Sequence, residues 1–126
     1  MDTAEEIIKW FNNHSRALAS LRDEQSHQYN GRVLTLLYPI CTRWSSRYLA
    51  CARLLAIERA VRSLVFTRID DLVALTSKAR TVAETEQKQI KTRELLKTVL
   101  EDEFWSALKT YSINLHCLII NMIYSP

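Results

Sequence analysis

Gly31 is the only glycine in 126 residues, and this excludes many of the folds open to a chain of this length. Repeated tight β-turns need residues that enter positive φ at no steric cost, so a sandwich of many short strands is not expected. A Gly-rich phosphate-binding loop and a G-x-S-x-G nucleophile turn are excluded on the same ground. With 48% hydrophobic and 25% charged residues, the chain suits one small domain rather than a disordered segment. The expectation is an all-α fold: a single helical domain over residues 1–126, built as a bundle of four to five helices, with a short strand or extended connector near residues 33–38.

Helical periodicity places the elements. Thr3 and Glu6 form a capping-box pattern, and Ile7, Phe11, Leu18 and Leu21 predict a helix over about 3–25, weakened at Asn12 and Asn13. Asn30-Gly31 marks a turn, and the apolar run Val33 to Tyr38 ends at Pro39, which removes a backbone donor. Thr42 can cap a central helix running to about Phe66. It carries two stripes, Trp44, Tyr48, Cys51 and Leu55 on one side and Leu54, Ile57, Val61 and Leu64 on another. A shorter helix follows to about Arg80, capped by Thr67 or Asp70, and the polar stretch 81–92 reads as an exposed helix face or a mobile connection.

The last helix should begin near Asp102. Phe104, Leu108, Tyr111, Leu115, Leu118 and Met122 recur there at alternating spacings of four and three, and Ile113, Ile119, Ile120 and Ile123 widen the apolar surface. Either the other helices bury all of this, or a partner helix or a second copy of the chain does. The six-residue stripe is therefore the candidate interaction surface. Leu115 to Tyr124 is about half the length a bilayer crossing needs, so no membrane span is expected.

Few residues are arranged for chemistry. Cys41, Cys51 and Cys117 are an odd, unpaired set, from which no disulfide and a reducing intracellular setting are expected. The three His and three Cys form no metal-ligand spacing, so no metal or other cofactor is expected. Asp70-Asp71 and Glu101-Asp102-Glu103 each precede an apolar periodic segment, where carboxylates favour helix starts over acid-base work. No catalytic constellation and no small-molecule substrate emerge, and the chain reads as a non-enzyme.

Charge is unevenly spread. Between Arg32 and Arg68 there are seven Arg and one acid, Glu58, about +6 against about −3 for the remainder. Within that window Thr42-Arg43-Trp44-Ser45-Ser46-Arg47-Tyr48 combines cations, aromatics and hydroxyls around a helix start. Arg reaches phosphates, helix N-terminal amides receive anions and an exposed indole stacks on an unpaired base, so DNA is a candidate partner through Arg43, Trp44, Arg47 and Arg53. The plain alternative is that Trp44 and Tyr48 belong to the core and the Arg pair is solvated.

The same residues carry a family resemblance. Thr42-Arg43-Trp44-Ser45-Ser46, then Tyr48 and Arg53-Leu54-Leu55, resembles the T-R-W-[NS]-S-x-Y…R-L-L segment of hobo/Activator-type (hAT) transposases. Ile7-Ile8-Lys9-Trp10-Phe11 with Ser15 and Leu21 is similar to the helix preceding that motif. Phe104-Trp105-x-x-Leu108 is similar to the F-W-x-x-L that opens a helix of the family's inserted helical domain. The likeness spans about residues 4 to 122. It implies that Trp44 supports a flipped base and that Arg43 touches DNA. The family's three metal-binding carboxylates lie outside the matching stretch, so the expected chain is a non-catalytic, transposase-derived helical domain. A nuclear location is implied by the resemblance alone. The competing expectation is a helical interaction or self-association module without a nucleic-acid role.

Overall fold

The computed structural model describes residues 2–39, 44–75 and 80–124. Among them are six α-helices and no strand: α1 (Asp2–Asn12), α2 (Ser15–Gln28), α3 (Trp44–Ala56), α4 (Glu58–Ala74), α5 (Val82–Thr98) and α6 (Asp102–Tyr124). The all-helical architecture follows the sequence reading, with six helices where four to five were expected. Thr42, the expected cap of the central helix, lies outside the described residues.

Two expected helices are each divided. The first breaks at Asn13-His14, where His14 adopts an extended conformation (φ −125°, ψ 91°). Its Nδ1 donates to the Trp10 carbonyl at 2.6 Å and its ring stacks on the Trp10 indole, so the break is filled by side chains of the preceding turn. The second breaks at Ile57 (φ −110°, ψ 20°), a fully buried residue that separates α3 from α4. The boundary expected at Thr67 is instead a kink inside α4 at Arg68 (φ −131°, ψ 28°). Thr67 caps nothing; its hydroxyl donates back to the Ser63 carbonyl at 2.8 Å, a bond that competes with straight helix.

The polar stretch 81–92 is helix, within α5. Thr81 Oγ1 accepts from the Glu84 amide at 3.1 Å, so Thr81 satisfies an orphan donor of the first turn. α5 buries only Thr92 and Leu96 among its residues, which explains its hydrophilic sequence.

One core unites the helices. Ile7, Ile8 and Phe11 of α1, Leu21 of α2, Leu54 of α3, Val61 and Leu64 of α4, Leu96 of α5 and Trp105 and Leu115 of α6 are all essentially inaccessible. Each such Ile, Leu or Phe contributes about 1.5–3 kcal/mol relative to an exposed position. α3 packs on α6, α2 on α4, α4 on α5, and α1 on both α2 and α5.

The segment 32–39 has neither helix nor strand structure. It leaves α2 through Asn30 (φ 54°) and Gly31 (φ 87°), left-handed positions that suit an Asn-Gly pair. Buried Gln25 holds it: the Leu34 amide donates to Gln25 Oε1 at 2.7 Å, and Gln25 Nε2 donates to the Leu34 carbonyl at 3.2 Å. A polar residue inside the core is thereby fully employed.

Candidate interaction surface

The start of α3 was the first candidate. Arg43 lies outside the described residues, and so does the side chain of Trp44, which opens the helix. Arg47 is half-buried and its Nη1 donates to the Tyr111 hydroxyl at 3.4 Å, linking α3 to α6. Arg53, also half-buried, donates from Nη1 to the Thr35 carbonyl at 3.5 Å, linking α3 to the connector. Both described cations are thus engaged inside the fold. Arg32, Arg59 and Arg68 of the same window are exposed and make no ion pair among the described residues.

The F-W-x-x-L segment is an anchor. Trp105 is buried and its Nε1 donates to the Val99 carbonyl at 2.7 Å, occupying an acceptor at the end of α5. Arg62 of α4 fastens the same corner: it donates to Glu58 at 3.0 Å, to the Leu100 carbonyl at 3.2 Å and to Asp102. These partners, Asp102 foremost, hold the guanidinium pKa above its ordinary value. Asp102 therefore serves the start of α6 and the α4 contact, and Asp70 pairs with Arg93 of α5 at 2.9 Å. Among the described residues no group of three or more His, Cys, Asp or Glu is placed to hold a metal ion.

α6 divides the candidate interaction stripe in two. Leu108 and Leu115 are buried, and Phe104 and Tyr111 are half-buried; α3 meets this part of the helix through Arg47 at the Tyr111 hydroxyl. Leu118 and Met122, next in the same repeat, are 46% and 67% exposed. Ile113 and Ile120, on the other side of the helix, are 63% and 39% exposed. From Thr110 to Tyr124 there is no Asp, Glu, Lys or Arg. A solvated helix face of that length ordinarily carries charge, whereas the centre of an interface is depleted of it.

The two described thiols differ in the same way. Cys51 is buried in α3, and desolvation pushes its pKa up to about 11, while Cys117 is exposed on α6. An open groove of about 950 Å³ lies between the end of α2, the connector and the α3–α4 junction, lined in part by Tyr29, Arg32, Leu34 and Ile57. No described helix is long and apolar enough to cross a membrane.

Compared with family models, with curated proteins and with solved structures, the chain matches none. Reading by motif passed over Gln25 and Arg62; Ile113 and Ile120, counted there as part of the wider apolar surface of the last helix and not of its six-residue stripe, lie seven residues apart and so share one face.

Proposed function

We propose that this protein is a non-catalytic helical association module whose working surface is the C-terminal half of α6. One observation carries the reading: Ile113, Leu118, Ile120 and Met122 stand exposed within a run from Thr110 to Tyr124 that holds no Asp, Glu, Lys or Arg. Uncharged apolar surface of that extent is costly to keep in water and favours burial against another helix. The resemblance to hAT transposases supplies an origin for such a module, a helical piece without the catalytic carboxylates. Light scattering across a hundredfold dilution, with thermal melts on the same samples, tests it. An associating chain loses mass and midpoint on dilution, and Leu118→Glu with Met122→Glu or Ile113→Glu with Ile120→Glu lowers both. A monomer with a constant midpoint at every concentration overturns the reading.

A second reading, DNA binding, draws on a separate observation, the exposed Arg32, Arg59 and Arg68 in the Arg-rich window, which make no ion pair among the described residues. Cations left free of acids attract phosphate, and such binding weakens steeply with salt. A fluorescent hairpin with an unpaired base at its foot, titrated across a salt series against plain duplex, is the test. Salt-sensitive, hairpin-preferring binding weakened by Trp44→Ala supports a retained transposon-end contact. Absence of binding at low salt rejects it.

A further inference from the structure

We infer that the groove between the end of α2, the connector and the α3–α4 junction binds a small amphipathic anion, an aliphatic chain ending in a carboxylate. This goes beyond the association reading and uses a different part of the surface, so each stands without the other.

The groove is assembled from separate pieces of the chain. Residues at the end of α2 and in the connector supply one part of its lining, and Ala56 with Ile57 the other. Its volume of about 950 Å³ falls within the range of small-molecule sites. Four lining residues are aliphatic, Val33, Leu34, Ala56 and Ile57, and Val33 and Leu34 leave 41% and 37% of their surface open to solvent. No single stretch of sequence announces such a site, because only the fold brings the two segments together.

The polar part of the lining selects the charge. Tyr29, Asn30 and Arg32 present a phenol, a carboxamide and a guanidinium, and among the described residues none of these side chains has a hydrogen bond or an ion pair. All three can donate, and the lining holds no carboxylate to accept. The nearest acids in sequence are engaged elsewhere. Glu24 accepts from Gln28 Nε2 at 2.7 Å and from the Ser63 hydroxyl at 2.9 Å. Glu58 pairs with Arg62 at 3.0 Å and with Lys109 at 3.6 Å. Unused donors beside uncovered aliphatic surface match a ligand that is anionic at one end and apolar along its length. A nucleic-acid strand needs a succession of cations, whereas Arg32 is the one charged residue of this lining, which suits a monoanion.

The groove keeps its shape without a ligand. Gln25 is 1% exposed and grips both backbone groups of Leu34, the Arg53 guanidinium reaches the Thr35 carbonyl, and Ile57 is packed in the core. Little has to be ordered on binding, so more of the contact energy survives as affinity. Because the groove is open, part of the aliphatic chain stays wet, and dissociation near roughly 100 µM is the expected scale.

The test is calorimetry and amide NMR on the full chain with octanoate, decanoate and dodecanoate, and with dodecyltrimethylammonium as the cationic counterpart. Arg32→Gln removes the cation, Ala56→Trp fills the groove from an exposed position, and Lys88→Gln removes an exposed cation of α5; circular dichroism checks that each variant is folded. Carboxylate affinity is expected to rise about two- to fourfold per added methylene. Amide shifts should centre on residues 29–34 and 56–59. Arg32→Gln should weaken dodecanoate by about fivefold without weakening dodecyltrimethylammonium, Ala56→Trp should abolish the groove shifts, and Lys88→Gln should change neither. Equal affinity for the two head groups overturns the inference, and so does an affinity indifferent to Arg32→Gln with shifts confined to the exposed end of α6. Absence of saturable binding up to about 1 mM overturns it as well.

Discussion

The two halves of α6 obey one repeat and meet opposite fates. In the first, Trp105, Leu108 and Leu115 are buried against the bundle and the corner with α5 is bonded by the indole and by Arg62. In the second, Leu118 and Met122 continue the spacing but stand open to solvent. Spacing determines which residues share a face of a helix; whether that face is covered depends on what the rest of the fold lays against it.

The largest effect that can break this comparison is Trp105→Ala. It removes a buried indole together with its bond to the Val99 carbonyl, and is expected to cost about 4 kcal/mol in urea unfolding. A cost below 1 kcal/mol would mean that the first half is no anchor.

Alkaline titration sharpens the contrast through the thiols. Cys51, with its pKa raised from 9.0 to about 11, keeps its proton in the folded state at pH values where the unfolded chain has lost it. Its contribution is fully present below pH 9 and is lost as pH rises toward 11, by up to about 1.4 kcal/mol per unit. Cys51→Ala should flatten that part of the stability profile. At neutral pH a thiol-specific reagent should modify Cys117 rapidly and Cys51 only on unfolding.

Arg62→Ala comes next. Losing the bonds to Glu58, Asp102 and the Leu100 carbonyl should cost about 1–2 kcal/mol, since the carbonyl loses its partner while the exposed Asp102 carboxylate rehydrates. The smallest effect belongs to the open half. Met122→Ala at a concentration where the chain is monomeric should change stability by no more than about 0.5 kcal/mol. A cost comparable with that of Trp105→Ala would show that the second half is packed as tightly as the first.

Much of this was readable beforehand, for identifiable reasons. The start of α6 at Asp102 and its stripe followed from acids at a helix start and from spacing. The break at Ile57 was hidden because Leu54, Ile57, Val61 and Leu64 keep helical phase straight through it. Phase continuity cannot distinguish one helix from two whose apolar faces meet the same core. Arg47 and Arg53 illustrate another limit. A guanidinium suits a phosphate and a tyrosine hydroxyl 64 positions away equally well, and only the packing of α3 on α6 brings Arg47 within 3.4 Å of Tyr111. Gln25 left no trace at all, since its partner lies in an irregular segment nine residues on.

That clamp has a consequence for colloidal behaviour. Val33-Leu34-Thr35-Leu36-Leu37-Tyr38 is uncharged, rich in β-branched and large apolar residues and free of proline, the composition that stacks into cross-β fibrils. Gln25 occupies both backbone groups of Leu34 as a neighbouring strand would, and Arg53 takes the Thr35 carbonyl. A single core amide thus engages both backbone groups of Leu34, near the start of the segment, where a second chain would otherwise pair. Gln25→Ala should shorten the lag before thioflavin fluorescence rises in agitated samples, and an unchanged lag would locate the protection elsewhere. In a chain proposed to act by association, this separates assembly through helices from assembly through strands.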